Sequence, residues 1–274
     1  RLKMHNYKIC VVNYLNSKPF IYGLKKFPNI QDWVTLVEEN PAECADSLIQ
    51  GKTDIALIPA AMILQLENPH IISSYCIGSQ GKVKTVCLFS NVPIEEITDV
   101  ILDNQSRTSV RLFQILAKEY WKQEFNYHPS SPDSNNQIKG NTAAVVIGDR
   151  TIPMFEKYEY IYDLGEIWQK MTGLPFVFAA WVSPFPLEKE LVQIFHHACE
   201  LGMNSIDLIV QENSEVNTKE FNLETYYKKN ISYDLDESKQ EGLNLFLTKV
   251  AELENWKASN ITYQLPNSNV ITAL

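Results

Sequence analysis

The sequence has no long hydrophobic run and no signature of nucleotide binding. No stretch approaches the roughly 18 apolar residues of a membrane-spanning helix, and the basic start, Arg1 to Asn6, leads only into a short strand-like segment. That segment is too short for the hydrophobic region of a signal peptide, so we predict a cytoplasmic protein without a membrane partner. The ten glycines form neither a GxGxxG fingerprint nor a Walker A loop. We therefore expect no nucleotide cofactor.

Histidines and cysteines are few, and their positions do not indicate a metal site. The five histidines lie outside the strand ends where a ligand is expected: His5, His70, His128, His196 and His197. Neighbouring helical residues cannot share a face, so the last two are a poor pair of ligands. The five cysteines include no CxxC pair, and most lie in apolar stretches: Cys10, Cys44, Cys76, Cys87 and Cys199. We predict reduced core cysteines, no metal and no histidine-dependent catalytic triad.

The charge balance argues against a nucleic-acid surface. The formal net charge is −9, which repels phosphate backbones. With 45% hydrophobic residues, the 274-residue chain has enough apolar surface for a sizeable core. We predict a globular protein whose partner is a small molecule and not DNA or RNA.

Apolar strands alternate with helical patterns near the start of the chain. The predicted elements are strands Tyr7–Asn13, Trp33–Glu38 and Asp54–Pro59, with helices Pro19–Lys26, Asn40–Gly51 and one ending at Leu66. Asn40 can cap the second helix, Pro41 suits its first position, and Glu43 places a carboxylate near its positive end. Repeated strand-helix units predict an α/β fold with a parallel sheet.

Two extended segments, Val83–Ser90 and Phe176–Ser183, frame a second block of strands and helices. We predict that they cross between two lobes and that a ligand lies in the cleft. The first lobe would comprise residues 1–90 and 184–274, and the second residues 91–183. Helices after Pro186 are assigned to the first lobe, while the tail from Asn260 has no clear period. Whether these helices form a homodimer contact stays open.

The segment Ser106–Ser109 has the composition of an anion site. A helix is predicted to start at Ser106, and its first turn, Arg107-Thr108-Ser109, lacks the acidic residue that the helix dipole would favour. A cation, hydroxyl groups and free backbone N–H groups suit an external carboxylate. The alternative is an ordinary serine cap followed by a solvated arginine.

Other polar residues fall at predicted strand ends or turns that would face the same cleft. They are Tyr14, Asn16 and Ser17 after the first strand, Ser79 before the first crossover, and Gly148 and Asp149 after strand Ala143–Ile147. The alternative for Asn16-Ser17 is an N-cap pair before Pro19, and for Asp149 a helix cap. Their convergence on one crevice depends on the predicted topology.

Six motifs occur in a fixed order between residues 7 and 183. They are Val12–Pro19, Asp54–Pro59, Asp103–Val110, Ile147–Asp149, Tyr162–Trp168 and Thr172–Trp181. As an ordered set they resemble the chorismate dehydratases of the futalosine route to menaquinone. The resemblance implies a two-lobed type II periplasmic-binding-protein-like fold and a carbon-oxygen lyase that converts chorismate to 3-[(1-carboxyvinyl)oxy]benzoate without cofactor or metal. Asn13 departs from the serine more often expected there.

The resemblance also implies roles for the candidate residues. The substrate-binding set is Tyr14, Ser17, Ser79, Arg107, Thr108, Ser109 and Gly148. The three residues at the helix start would hold one carboxylate, Ser79 would help to receive the other, and Asn16 would orient the departing hydroxyl or the reacting edge of the ring. The base is either Asp149 or the substrate's own enolpyruvyl carboxylate. We favour the second, because an ionised Asp149 would repel a dianion.

Two other functions compete with this interpretation. A non-catalytic solute-binding or sensory protein would share the fold, and an export signal or lipid-attachment cysteine would favour it. The related enzyme that forms a dihydroxynaphthoate later in the same pathway is expected to use a catalytic histidine. No histidine here occupies a motif position.

Overall fold

Two β-sheets form the body of the molecule. A computed structural model describes residues 6–103, 105–131, 137–266 and 271–273, so Asn104 of the third motif lies outside the described residues. The strands are β1 (Tyr7–Val12), β2 (Val34–Glu39), β3 (Ile55–Pro59), β4 (His70–Ser79), β5 (Val86–Ser90), β6 (Asp99–Leu102), β7 (Asn126–Pro129), β8 (Thr142–Ile147), β9 (Tyr160–Asp163), β10 (Phe176–Ser183), β11 (Ser232–Asp234), β12 (Ile261–Tyr263) and β13 (Ile271–Ala273). The α-helices are α1 (Lys18–Lys26), α2 (Pro41–Ile49), α3 (Arg107–Leu116), α4 (Leu164–Thr172), α5 (Lys189–Met203), α6 (Ile206–Glu212), α7 (Leu223–Thr225) and α8 (Glu237–Glu254).

The larger sheet carries the predicted strand-helix repeats. Its order is β13-β12-β4-β10-β3-β1-β2, with β11 also paired to β4. β1 is parallel to both β2 and β3, which confirms the predicted parallel arrangement. Every residue of β3 is buried, as expected for a central parallel strand covered on both faces.

The smaller sheet has the order β7-β6-β8-β5-β9. β6 runs parallel to β7 and β8, whereas β5 runs antiparallel to β8 and β9. The molecule is therefore a mixed α/β protein with two lobes, here called the first lobe (larger sheet) and the second lobe (smaller sheet). The predicted two-lobed architecture is confirmed.

The predicted crossover segments are strands inside the two sheets. β5 lies between β8 and β9 in the second lobe, and β10 lies between β3 and β4 in the first. Both strands are almost entirely buried, because each pairs on both edges and is covered on both faces. The chain instead passes between the sheets from Ser79 to Val86 and from Asp163 to Phe176. We therefore move the proposed lobe boundaries from 90/91 and 183/184 to these two connections.

One carboxylate joins both connections between the lobes. Asp163 accepts hydrogen bonds from the backbone N–H groups of Val83 and Lys84 in the first connection, at 3.1 and 2.7 Å. It also accepts from Gly165 and Glu166 at the start of α4, each at 3.1 Å. Four backbone donors thus share a side chain that is only 7% exposed.

The helices after Pro186 pack on the first lobe, as predicted. α5 crosses α1 so closely that a Cβ atom at Gly202 would lie 1.8 Å from the carbonyl oxygen of Pro19. The segment after Asn260 is more ordered than its pattern indicates, because β12 pairs in parallel with β4 at His70 and Ile71. The sequence pattern, which has no clear period there, did not predict this strand.

The predicted start of α2 is confirmed and gives a stability prediction. The Asn40 side chain accepts from the Glu43 N–H at 3.0 Å, and the Glu43 carboxylate accepts from the Asn40 N–H at 3.4 Å. Asn40→Ala removes the cap and is expected to lower the free energy of unfolding by about 1 kcal/mol in urea denaturation. Asn40→Ser, which can still accept this bond, should restore most of it. Equal stability of the Ala and Ser variants would contradict the capping role.

Candidate active site

A cavity lies between the two lobes and draws its lining from both. About 590 Å³ between the lobes is free of protein atoms when the open space at the mouth is included. Its lining residues are Val12, Tyr14, Asn16, Ser17, Pro41, Leu57, Pro59, Ile77, Val83, Thr85, Val86, Ser106, Thr108, Ser109, Ile147, Gly148, Phe178 and Ala179. Within the described residues, every polar side chain of this lining is neutral. The site therefore offers hydrogen bonds from uncharged groups, set among apolar walls.

The start of α3 supplies the hydroxyl groups on the second-lobe side. Ser106 caps the helix, because its side-chain oxygen accepts from the Ser109 N–H at 3.3 Å. The Thr108 oxygen accepts from the Ala61 N–H of the first lobe at 3.1 Å. Both hydroxyl oxygens act as acceptors in these bonds, so their O–H groups can donate to a guest. The first turn contains no acidic residue, and the helix dipole favours an anion there.

The turn after β1 supplies the polar groups on the first-lobe side. Leu15–Ser17 forms one turn of 3₁₀ helix, and neither end of it makes a side-chain capping bond. Ser17 occupies the N-cap position of α1, as in the alternative interpretation, but its side chain makes no capping hydrogen bond. The Ser17 hydroxyl donates to the Asn16 amide oxygen at 2.9 Å, which leaves the amide NH₂ group available. Tyr227 and Tyr233 donate to the carbonyl oxygens of Leu15 and Asn16 at 2.7 and 2.8 Å, and so fix the turn.

Gly148 brings the second lobe against Tyr14. Its backbone has φ +65°, a left-handed conformation that favours glycine. A Cβ atom there would lie 3.1 to 3.2 Å from the ring carbons of Tyr14. Beyond the ring, Arg150 forms an ion pair with Asp103, which is only 4% exposed. Burial raises the pKa of the Tyr14 hydroxyl, and the nearby Arg150 opposes this effect.

Asp149 lies beside the cavity and is bonded across the lobes. Its two carboxylate oxygens accept from the Leu15 N–H at 3.1 and 3.3 Å. Burial raises its pKa, whereas the bond from Leu15 and the charge of Lys18 act in the opposite direction. The side chain does not belong to the cavity lining. Its observed contact is thus with the turn that carries Asn16 and not with the cavity.

Two other predicted binding residues do not reach the cavity. The guanidinium of Arg107 lies 3.2 Å from both carboxylate oxygens of Asp46 on α2, so its charge is already paired. Ser79 is fully buried, and its hydroxyl oxygen lies 2.6 Å from where a Cβ of Gly165 would be. Gly165 at the start of α4 thus packs against Ser79, which is not among the lining residues. Of the predicted set, Tyr14, Asn16, Ser17, Thr108, Ser109 and Gly148 meet in the lining.

Sequence reasoning missed most of the apolar lining. Leu57, Pro59 and Phe178 lie in continuous apolar strands, whose pattern predicts core and gives no sign of a cavity. Thr85 was also missed. Its hydroxyl is hydrogen-bonded to the Tyr226 hydroxyl at 2.7 Å, from an element 141 residues away, and no local signal marks such a contact.

A family model described as menaquinone biosynthesis matches residues 7–252. The chain belongs to the menaquinone biosynthesis family. One relative of this menaquinone biosynthesis protein is the chorismate dehydratase of Thermus thermophilus. It is 24% identical over 264 residues. The match covers 84% of this chain and 94% of that protein.

Solved structures share the fold of this menaquinone biosynthesis protein at low identity. A protein of Archaeoglobus fulgidus has a TM-score of 0.68 at 14% identity and covers 92% of this chain and 98% of its own. The ligand-binding component of an ABC-type import system from Staphylococcus aureus has a TM-score of 0.63 at 17% identity, and the match covers 92% of this chain and 93% of that one. The periplasmic aliphatic sulphonate binding protein of Escherichia coli has a TM-score of 0.56 at 11% identity, and the match covers 91% of this chain and 87% of that one. The fold is thus periplasmic-binding-protein-like. Within the described part of the chain, no helix is long and apolar enough to span a bilayer.

Proposed function

We propose that the protein is a chorismate dehydratase, a carbon-oxygen lyase that removes water from chorismate to give 3-[(1-carboxyvinyl)oxy]benzoate. The observation that carries this proposal is the cavity between the lobes, whose lining combines the Asn16 amide with the hydroxyls at the start of α3. Membership of the menaquinone biosynthesis family and the 24% identical dehydratase support it. We retain the expectation that the enzyme acts in the cytoplasm and needs no cofactor.

In this proposal the start of α3 binds the carboxylate on the substrate ring. Thr108, Ser109 and Ser106 provide hydroxyl and backbone N–H donors, aligned with the positive end of the helix. When the C–H proton beside the departing hydroxyl leaves, negative charge spreads through the conjugated ring into the ring carboxylate. Donors that are already in place stabilise this charge without reorganising, so binding of the carboxylate also lowers the barrier. Arg107 contributes at most through its field, since Asp46 holds its guanidinium.

The proton would go to the substrate's own enolpyruvyl carboxylate. The electron pair of the broken C–H bond then forms a new C=C bond as hydroxide leaves with the C–O pair. The ring becomes aromatic, and the hydroxide takes the proton from the enolpyruvyl carboxylic acid to leave as water. Asn16 would donate to the departing hydroxyl. Asp149 would position the turn that carries Asn16, because its carboxylate is engaged by the Leu15 N–H. Orientation of the reacting groups lowers the activation barrier by roughly 7 to 11 kcal/mol in favourable cases.

The experiment that tests the function is incubation with chorismate alone, followed by ultraviolet absorbance and mass spectrometry of the product. An aromatic product lighter than chorismate by the mass of one water is expected. Saturable binding of chorismate without conversion would instead indicate a solute-binding or sensory protein. If chorismate is neither bound nor converted, the dihydroxynaphthoate-forming alternative is tested next, with the substrate of that enzyme.

Two substitutions of Asp149 separate a base from a positioning residue. Asp149→Asn retains an oxygen that can accept from the Leu15 N–H, so it is expected to keep kcat within about tenfold of the unsubstituted enzyme. Asp149→Ala removes the acceptor and leaves the buried Leu15 N–H without a partner, which costs about 1–3 kcal/mol of stability. This variant should lower kcat further. If Asp149 were the base, the Asn variant would lose roughly 100- to 10,000-fold. Steady-state kinetics of both variants decide between the roles.

A further inference from the structure

Three possible metal ligands meet on one side of the first lobe, outside the cavity lining. Cys10 lies on β1, Glu39 ends β2, and Cys44 lies on α2. The two sulfur atoms are 2.7 Å apart, and the Cys10 thiol donates to the Glu39 carboxylate at 3.3 Å. The ligand atoms all lie within 4.8 Å of one another. Both cysteines are 0% exposed, whereas Glu39 is partly exposed.

Regular elements hold these ligands in place. β1 and β2 pair in parallel register, with Val12 opposite Glu39. The cap of α2 fixes the helix start, and the Cys44 N–H donates to the Asn40 carbonyl oxygen at 3.0 Å. The Ser47 hydroxyl donates to the same Glu39 oxygen as Cys10 does, at 3.1 Å. Such a partner orients a ligating carboxylate, so the three ligands converge from a rigid frame.

We propose that Cys10, Glu39 and Cys44 form a binding site for one thiophilic divalent cation of the zinc class, which departs from the prediction of no metal because these three residues meet only in the fold. Thiolate sulfur and carboxylate oxygen are ligand types that zinc accepts together. Exchange of the two thiol protons for one divalent ion leaves the net charge of the buried cluster unchanged. The cluster can therefore take up the ion without placing additional charge in the core.

The site must open slightly around the ion. With Zn–S bonds of about 2.3 Å, two sulfurs of a tetrahedral ion lie roughly 3.8 Å apart, so the present 2.7 Å separation must grow by about 1 Å. One torsion in each cysteine side chain can supply this change. Three protein ligands leave one position for solvent, which reaches the cluster on the exposed side of Glu39.

The ion would link elements that reach the cavity. α2 starts at Pro41, and β1 continues into the turn after Val12, both of which line the cavity. A ligand that binds only the folded chain stabilises it. We therefore expect zinc to raise the Tm of the protein, whether or not the protein is a dehydratase.

The test is a cobalt titration of the reduced, EDTA-treated full chain in a non-thiol reductant. One equivalent of Co²⁺ should produce a thiolate-to-cobalt charge-transfer band and the visible bands of a tetrahedral site, and Zn²⁺ should abolish both. About two protons should be released per ion, because both thiols lose theirs. Cys10→Ser and Cys44→Ser should lose the bands. Cys76→Ser, another buried cysteine outside the cluster, should keep them.

Three results would overturn the proposal. They are no cobalt spectrum in the reduced chain, an unchanged spectrum in Cys10→Ser and Cys44→Ser, or proton release far from two per ion. Circular dichroism shows whether the serine variants fold. If either does not, the proton count and the zinc-induced Tm shift of the unsubstituted chain decide. Recovery of a disulfide-linked Cys10–Cys44 peptide from a chain that binds no cobalt after reduction would identify a redox pair instead.

Discussion

Asn16→Ala is expected to lower kcat for chorismate by at least about a hundredfold, the typical effect of removing one donor to developing charge. Ser17 holds the Asn16 amide oxygen, and Tyr233 holds its backbone carbonyl, so the NH₂ group is already oriented before substrate arrives. Little of its effect should appear in substrate affinity, because the charge on the leaving oxygen grows only in the transition state. The loss should therefore fall on kcat and leave KM nearly unchanged.

Asn13→Ala is the matched control for this prediction. Asn13 has the same side chain and lies three residues earlier, but it is exposed and outside the cavity lining. Its variant should turn over chorismate like the unsubstituted enzyme. Stopped assays of product under saturating and limiting chorismate give kcat and KM for both variants. Equal turnover by the two variants would contradict the role of Asn16, and a rise in KM alone would reduce it to binding.

Gly148→Ala is expected to abolish most turnover through a contact between the lobes. An L residue at φ +65° costs about 1–2 kcal/mol, and the new Cβ would press on the Tyr14 ring from 3.1 Å. Tyr14 or the loop must then move. Both line the cavity. The Tyr14 ring has to shift by only a few tenths of an ångström, less than the roughly 1 Å misplacement that can cost a hundredfold in rate, so we expect turnover to fall by about tenfold, together with the free energy of unfolding.

Gly173→Ala is the control that separates the conformational cost of a positive φ from the effect of the Cβ contact with Tyr14. Gly173 also has a positive φ, +77°, but a Cβ there meets no atom within 4 Å. Its variant should lose a similar stability and keep its turnover. Urea denaturation and chorismate assays on both variants test this difference. Parallel losses of activity in the two variants would show that destabilisation, and not the Tyr14 contact, explains the result at Gly148.

Local chemistry made several features predictable from the sequence. The cap at Asn40 and the start of α3 at Ser106 depend on residues within one helical turn, and both occur as predicted. The continuous apolar run of β3 marks a strand buried on both faces. At these positions the side chains that determine the structure are neighbours along the chain.

Long-range partners explain what the sequence could not predict. Arg107 is a residue type that binds anions, but its guanidinium is paired with Asp46, which lies 61 residues earlier in the chain. Ser79 was predicted to lie in a turn before the first crossover, but it ends β4, and Gly165 packs against it. The extended runs around β5 and β10 have the same apolar pattern whether a segment crosses between sheets or lies inside one. Only pairing with β8 and β4, respectively, settles which of these applies.

The carboxylate of Asp163 has a mechanical consequence. The two connections between the lobes are hydrogen-bonded to the same side chain, so they form a single pivot and cannot slide independently. We therefore expect the lobes to swing about this pivot when a guest enters the cavity. The contacts that span the cleft and would have to yield include the Ala61–Thr108 and Leu15–Asp149 hydrogen bonds and the Arg107–Asp46 ion pair.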